Sequence, residues 1–209
     1  MLDEPNRHRG AGTHEFGGKF MGILILGIVI FLGIHSVRIV APRWREQRIA
    51  AMGEGAWKGV YSLASAVGLA LMIWGFYLAR QNTYDYYAPP QWLVSVAMGL
   101  MALAFMSMMV GNLKPGRLKP ALKHPLLLAV KAWALAHLLV NADLASFVLF
   151  GSFLVWAVWD RIDEKRRGTP PPPAGPVSND IIAVVSGLAI WALFVWKLHE
   201  WLFGVPVIV

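Results

Sequence analysis

Cysteine is absent from this 209-residue chain, and charged residues make up only 15% of it. Without cysteine the chain can form no disulfide, no thiolate metal site and no CxxCH attachment for a covalently bound haem. Ordinary soluble domains contain about 25% charged residues, so the shortage of charge argues against a mainly soluble architecture. Apolar residues take the place of charge: they account for 57% of the chain and include ten Trp and nine Met.

The apolar residues are collected in runs long enough to cross a membrane. A helix of about 20 apolar residues spans the ~30 Å hydrocarbon core of a bilayer. One run is too long for a single crossing, and the Asn141-Ala142-Asp143 sequence in its middle is typical of a tight turn. That run predicts two short helices of about 16 residues each. The predicted spans are residues 20–40, 57–79, 92–113, the two halves of 126–159, and 181–203. The sequence therefore predicts an all-α, polytopic transmembrane bundle of about six helices.

Basic residues predict the orientation of this bundle, because cytoplasmic loops are enriched in Lys and Arg. Alternate connections carry Arg38, Arg43, Arg45, Arg48 and Lys58, then Lys114, Arg117, Lys119 and Lys123, then Arg161, Lys165, Arg166 and Arg167. The opposite side carries only Arg80 and, in the N-terminal tail, Arg7, Arg9 and Lys19. We expect three basic loops in the cytoplasm and both termini on the non-cytoplasmic side of a bacterial inner membrane. These loops account for the formal charge of +7, so membrane lipids rather than nucleic acid are the expected partners.

The chain divides into four segments by composition. Residues 1–19 are polar and Gly-rich, with too few apolar groups to offset the entropy of ordering, and predict a disordered tail. Residues 20–167 form the predicted membrane domain of five helices. Residues 168–179 contain four consecutive prolines and predict an extended, Pro-rich cytoplasmic linker. Residues 180–209 carry the final transmembrane helix.

Ionisable side chains within the spans mark the candidate site, because such groups are costly in a membrane and commonly functional. The candidates are His35, His124, Lys131, His137, Lys197 and His199. Neutral imidazole is an axial ligand of haem iron in helical bundles, and Arg38, one turn from His35, could pair with a haem propionate. The same histidines could instead make hydrogen bonds between helices, and the residues alone leave both interpretations open.

Three stretches of sequence carry a family resemblance. They are HSVRIVAPRWR from His35 to Arg45, GAWKGVYSLAS from Gly55 to Ser65, and KHPLLLAVKAWALAHLLVNADLAS from Lys123 to Ser146. In order and spacing they resemble the NnrU family, over residues 22–167. That family is named for genes associated with denitrification and nitric oxide handling. It is similar to the plant 15-cis-zeta-carotene isomerase, a membrane enzyme with a b-type haem held by two histidines.

The resemblance implies a non-covalently bound haem b, with His35 and His137 as ligands of the haem iron. It also singles out His124, in a His-Pro motif before the second ligand, and leaves Arg38 as the candidate partner of a propionate. The isomerase has a Cys near its second histidine, whereas ligand exchange through cysteine is impossible here. The expected roles are electron transfer, gas sensing or a redox-gated isomerisation in nitrogen-oxide metabolism. The expected partners are a redox protein, components of nitrogen-oxide reductases or a small hydrophobic substrate.

Other functions remain open from the sequence. Membrane methyltransferases of the isoprenylcysteine type use S-adenosylmethionine and have an Arg-His-Pro motif that Lys123-His124-Pro125 resembles. In this chain Leu126–Leu128 stand where that motif continues with an aromatic residue and Gly. A non-enzymatic assembly or regulatory protein for nitrogen-oxide reductases would need no different sequence, and two haems instead of one would require His199 as a further ligand. The sequence therefore leaves open whether the protein is an enzyme.

Overall fold

The computed structural model of the protein describes residues 11–207. In that part of the chain the regular elements are helices, with one isolated β-bridge between Asp85 and Asp143. The helices are α1 Ala11–Val40, α2 Pro42–Met52, α3 Glu54–Arg80, α4 Gln91–Asn112, α5 Leu118–Leu122, α6 Pro125–Val140, α7 Leu144–Arg167, α8 Val177–Leu193 and α9 His199–Phe203. A π-helical turn, Phe194–Leu198, joins α8 to α9.

Within residues 11–207, five helical segments are long and apolar enough to cross a membrane, and α6 is a sixth, shorter apolar helix. The five are Lys19–Val40, Glu54–Arg80, Gln91–Asn112, Leu144–Arg167 and Val177–Phe203. The predicted all-α bundle of about six membrane helices is therefore confirmed. The prediction of two short helices is right for α6, with 16 residues, and wrong for α7, with 24. α7 continues past the apolar run because oppositely charged residues three and four apart stabilise its last turns.

The N-terminal helix is longer than the apolar run that predicted it. α1 begins at Ala11, so residues 11–19 of the tail that was expected to be disordered are helical in the structure. Extending an existing helix costs far less than nucleating one, and the apolar run supplies the nucleus. The rest of the predicted disordered tail, residues 1–10, lies outside the described residues.

The helices belong to two compact units, and the first unit contains the described residues up to Ala88 together with Asn141–Ser152. Its main contact is between α1 and α3, which run antiparallel with glycines where they meet. A Cβ added to Gly68 would lie 2.7 Å from the backbone nitrogen of Phe31, and one added to Gly27 would lie 2.5 Å from that of Met72. The two backbones therefore approach closely, as in other membrane contacts built from small residues.

The predicted turn at Asn141-Ala142-Asp143 is present, and side chains of the first unit hold it. Asp143 is 2% exposed and caps the start of α7. Its carboxylate accepts hydrogen bonds from the backbone N–H of Ser146 at 2.9 Å and from the Ser146 hydroxyl at 2.6 Å. Arg80, the last residue of α3, lies 3.8 Å from the same carboxylate and donates to the Asn141 side chain at 3.2 Å. The turn is thus tied to the end of α3.

The second unit contains Pro89–Val140 and the described residues from Phe153 onward. Its central helix is α4, which packs against both α6 and α8. A Cβ added to Gly187 of α8 would lie 2.7 Å from the Met106 Cα, and one added to Gly111 of α4 would lie 2.5 Å from the Leu126 side chain. Small residues therefore bring both neighbours close to α4.

The Pro-rich connection is docked against the loop that follows α4. Residues 169–176 have no regular structure, and α8 begins at Val177, within the predicted linker. The N–H of Gly175 donates to the carbonyl oxygen of Gly116 at 3.0 Å. The Asp180 carboxylate accepts from the N–H groups of Arg117 at 2.7 Å and Leu118 at 3.0 Å. One turn of the last span therefore anchors this connection within the second unit.

Candidate functional site

His35 lies on α1, in the first unit, and its ring is oriented by the backbone of its own helix. The Nδ1 atom is 2.7 Å from the carbonyl oxygen of Phe31. A carbonyl oxygen only accepts hydrogen bonds, so Nδ1 carries the proton and the lone pair of the neutral ring lies on Nε2. The ring stacks on Phe31 with centroids 4.3 Å apart and meets Tyr61 of α3 at 5.2 Å. Both aromatic contacts limit rotation of the imidazole.

His137 lies on α6, in the second unit, and repeats the same arrangement. Its Nδ1 atom is 2.8 Å from the carbonyl oxygen of Trp133, four residues earlier. The proton again belongs to Nδ1 and the lone pair to Nε2. The Trp133 ring lies 5.4 Å from the imidazole and is itself held edge-on by Phe153 at 5.4 Å. His35 and His137, on helices of different units, therefore have the same tautomer.

In this tautomer the Nε2 atom carries the lone pair through which a histidine can bind a metal ion. Histidines that bind metal commonly donate the other ring N–H to a backbone carbonyl or a carboxylate, which fixes the ring and raises the basicity of the ligating nitrogen. His35 and His137 are both half-buried and meet this condition within apolar helices. The two histidines could be predicted from the sequence. Their tautomer could not, because it depends on hydrogen bonds to the backbone carbonyl oxygens of Phe31 and Trp133.

Arg38 lies one turn beyond His35, and its side chain is exposed. The positive charges of Arg38 and Arg45 act on the Tyr61 hydroxyl, so basic groups and a phenol gather at this end of the first unit. Ser65, one turn along α3 from Tyr61, has a buried hydroxyl without a hydrogen-bond partner among the described residues. Arg38 and Arg45 therefore place positive charge near Tyr61, whose ring contacts His35.

His124 has a different environment from the other two histidines. It lies on the turn before α6, after Lys123, whose backbone has a positive φ of 62°. Its Nδ1 atom is 4.0 Å from the Glu164 carboxylate of α7, and both side chains are largely buried, at 19% and 10% exposure. In this structure His124 therefore faces a carboxylate, whereas the Nδ1 atoms of His35 and His137 face backbone carbonyl oxygens.

Glu164 belongs to a charged cluster of the second unit that the sequence interpretation missed. Arg167 lies 2.8 Å from Glu164, 3.0 Å from Asp163 and 3.8 Å from Asp160. The Asp163 contact is an ion pair without hydrogen-bond geometry, because that oxygen has no hydrogen bond. The sequence interpretation assigns Arg167 to the basic loop residues. The cluster could have been recognised from the spacing of its four residues, which places them on one face of a helix.

The remaining candidates are Lys197 and His199, near the end of the last span, and Lys131, on α6. Lys197 pairs with Glu200 at 2.6 Å, and the Nδ1 atom of His199 lies 2.8 Å from the carbonyl oxygen of Val205. Lys131 lies half-buried on α6. Within residues 11–207, no group of three or more His, Asp or Glu could hold a bare metal ion. A haem iron needs at most two protein ligands, because the porphyrin supplies four.

Several apolar helices spanning most of the chain define a multi-pass α-helical membrane protein. Comparison with protein families identifies which one: the chain belongs to the NnrU family, described as NnrU protein, whose sequence profile matches residues 23–207. The match contains His35, Arg38, His124 and His137. It also continues through the last span, beyond the stretches that carried the resemblance. Comparison with curated proteins and with solved structures gives no match.

Proposed function

We propose that this NnrU-family protein binds a b-type haem in the membrane, with His35 and His137 as the iron ligands. The observation that supports it is the shared tautomer, because each Nδ1 atom donates to the carbonyl oxygen four residues earlier, at 2.7 Å and 2.8 Å. One such bond would be unremarkable for a histidine in an apolar helix. The same bond on both histidines implied by the family resemblance favours a common role as ligands.

The residues present fit the chemistry of a haem. Imidazole nitrogen is a common axial ligand of haem iron, and Arg38 offers a guanidinium that can hold a propionate by paired hydrogen bonds. Bound haem would supply reversible one-electron chemistry, and a diatomic gas could bind to it only after one of the two histidines had left the iron. Phe31 and Trp133 orient the imidazoles through their carbonyl oxygens and their rings. His124 and Glu164 place an imidazole and a carboxylate 4.0 Å apart in the second unit.

Because the family is named for genes associated with denitrification, we propose a role in nitrogen-oxide metabolism, which a bound haem could serve by electron transfer or by gas handling. We place the protein in the bacterial inner membrane with the three basic loops in the cytoplasm. That placement rests on the distribution of Lys and Arg. A redox protein or a nitrogen-oxide reductase component is the partner that this chemistry requires, and a small hydrophobic substrate remains compatible with it.

Absorption spectra of the purified protein test the proposal. Expressed with ample haem supply, the wild-type protein is expected to show a Soret band and sharp α and β bands after dithionite reduction, with one haem per chain. We expect His35→Ala and His137→Ala each to lower the retained haem by at least about tenfold. His199→Ala is the matched control, because His199 also bonds a backbone carbonyl and should keep its haem.

Two results would overturn the assignment. One is a wild-type protein without a Soret band, and the other is full haem retention in the His35→Ala, His137→Ala double variant. Adding nitric oxide to the reduced protein distinguishes gas handling from electron transfer. A shift of the Soret band supports gas handling, whereas an unchanged spectrum contradicts gas handling and leaves electron transfer.

A further inference from the structure

α2 is a helix that the sequence interpretation treated as part of a loop. Only Ala41 separates it from α1, and only Gly53, with φ of +85°, separates it from α3. Because α1 and α3 both cross the membrane, these one-residue connections hold both ends of α2 at the same membrane surface. The helix cannot move away into the aqueous phase without breaking one of its neighbours.

The residues of α2 are suited to the boundary between the charged headgroups and the apolar interior of a bilayer. The helix has no buried residue, and it carries Arg43, Arg45 and Arg48 against a single acid, Glu46. Two large apolar side chains are nevertheless exposed: Trp44 at 47% and Met52 at 44%. Exposed Trp beside Arg is the composition of helices that lie in the interface of a bilayer.

Two of the arginine side chains lie within cation–π distance of indole rings. The Arg48 guanidinium lies 5.8 Å from the centre of the Trp44 ring, and that of Arg45 lies 6.0 Å from the Trp57 ring. Trp44 and Trp57 meet edge to face at 5.9 Å. Trp57, on α3, is only 6% exposed. A guanidinium attracted to the face of an aromatic ring can still donate its N–H groups to a phosphate.

We propose that α2 is a binding surface for anionic phospholipid headgroups, with Arg45 and Arg48 donating to the phosphate and Trp44 and Met52 contacting the upper acyl chain. The charge of the arginines is complementary to that of the headgroup. The exposed Trp and Met side chains can contact the acyl chain of a lipid, whereas a water-soluble phosphate offers them no apolar group. This proposal is independent of haem binding, because none of its residues is a proposed haem ligand.

Lipid retention by the full-length protein tests this surface. The protein is purified from nanodiscs that contain equal amounts of phosphatidylglycerol and phosphatidylcholine, and the retained lipids are counted by native mass spectrometry. We expect at least about a fivefold preference for phosphatidylglycerol in the wild type. We expect no preference in the Arg43→Gln, Arg45→Gln, Arg48→Gln variant. The matched control removes three exposed basic charges elsewhere, as Lys114→Gln, Lys165→Gln and Arg166→Gln, and should keep the wild-type preference.

Three outcomes would overturn the assignment. They are an unchanged preference in the α2 variant, an equal loss in the control, and displacement of the lipid by inorganic phosphate at millimolar concentration. Circular dichroism and size-exclusion chromatography establish that each variant is folded. Arg48→Gln alone provides a milder variant, since its side chain is exposed, and it should lower the preference about twofold or more.

Discussion

The main chain takes part in orienting the rings of His35 and His137. In each case a carbonyl oxygen one turn earlier accepts the Nδ1 proton, and an aromatic ring of that same earlier residue lies against the imidazole. Phe31 and Trp133 therefore each supply both a carbonyl and a ring to the histidine one turn later, and Tyr61 adds a second ring contact to His35.

Arg167 illustrates how one side chain balances several carboxylates. Asp160 and Glu164 are 5% and 9% exposed, and Arg167 is the basic residue of α7 that contacts both. Buried carboxylates without a counter-ion are strongly unfavourable in the charged form. The cluster therefore depends on a residue that the charge distribution alone assigned to the membrane-surface loops.

We predict that Arg167→Gln lowers the free energy of unfolding by about 1–3 kcal/mol at pH 7, less than for a fully buried pair, because Arg167 is 30% exposed. Thermal unfolding in detergent at pH 7 measures the effect. Arg166→Gln, an exposed neighbour, should change stability little. An Arg167→Gln protein as stable as the Arg166→Gln protein would contradict the electrostatic explanation.

At the level of helices, glycine decides how closely α1 and α3 approach. Gly68 and Gly59 lie on the same helix, but a Cβ at Gly68 would collide with the Phe31 backbone, whereas nothing lies within 4 Å of a Cβ at Gly59. Phe31 also supplies the carbonyl that orients His35. The packing of the two helices and the position of the candidate ligand are therefore linked.

We predict that Gly68→Ala destabilises the protein by about 1–3 kcal/mol, because the added methyl group forces the backbones apart. Gly59→Ala is the control: the same change should be neutral or stabilise by up to about 1 kcal/mol, since alanine favours the helix. Thermal unfolding in one detergent compares the two variants. Equal stability of both would show that the close contact between α1 and α3 does not limit packing.

Polar or charged side chains stabilise each end of α7. Asp143 caps its first turn, and the carboxylates near its last turns face Arg167. The apolar stretch between them matches a membrane crossing. This arrangement explains why α7 is longer than its apolar run, because capping and ion pairs stabilise turns that hydrophobicity does not.

For the whole molecule, the absence of cysteine gives a direct test of orientation. Single cysteines introduced at exposed loop positions can be labelled without background. We predict that Gln81→Cys, after α3, reacts with a membrane-impermeant maleimide in intact cells stripped of the outer membrane. Lys165→Cys, near the end of α7, should react only after the membrane is permeabilised. The reverse pattern would invert the predicted topology and move the surface of α2 to the opposite leaflet.

The membrane architecture could be predicted from the sequence because hydrophobic runs of span length have few alternatives in a bilayer. The same holds for the turn at Asn141, where polar residues interrupt an apolar run too long for one crossing. His35 and His137 could also be selected in this way, since an ionisable group in such a run stands out. Each of these predictions depends on local composition, and local composition is what a sequence displays.

Contacts between residues distant in sequence were decided only by the tertiary structure. Three contacts each join separate segments of the chain: the pairing of His124 with Glu164, the anchoring of Arg117 by Asp180, and the cation–π contact of Arg45 with Trp57. α2 was missed because its apolar and basic residues are too mixed to show a helical period, and its position is fixed by its neighbours. The sequence by itself determined which segments enter the membrane, because burial in lipid depends on composition. The tertiary structure decided which polar groups face each other, because that depends on how the helices pack.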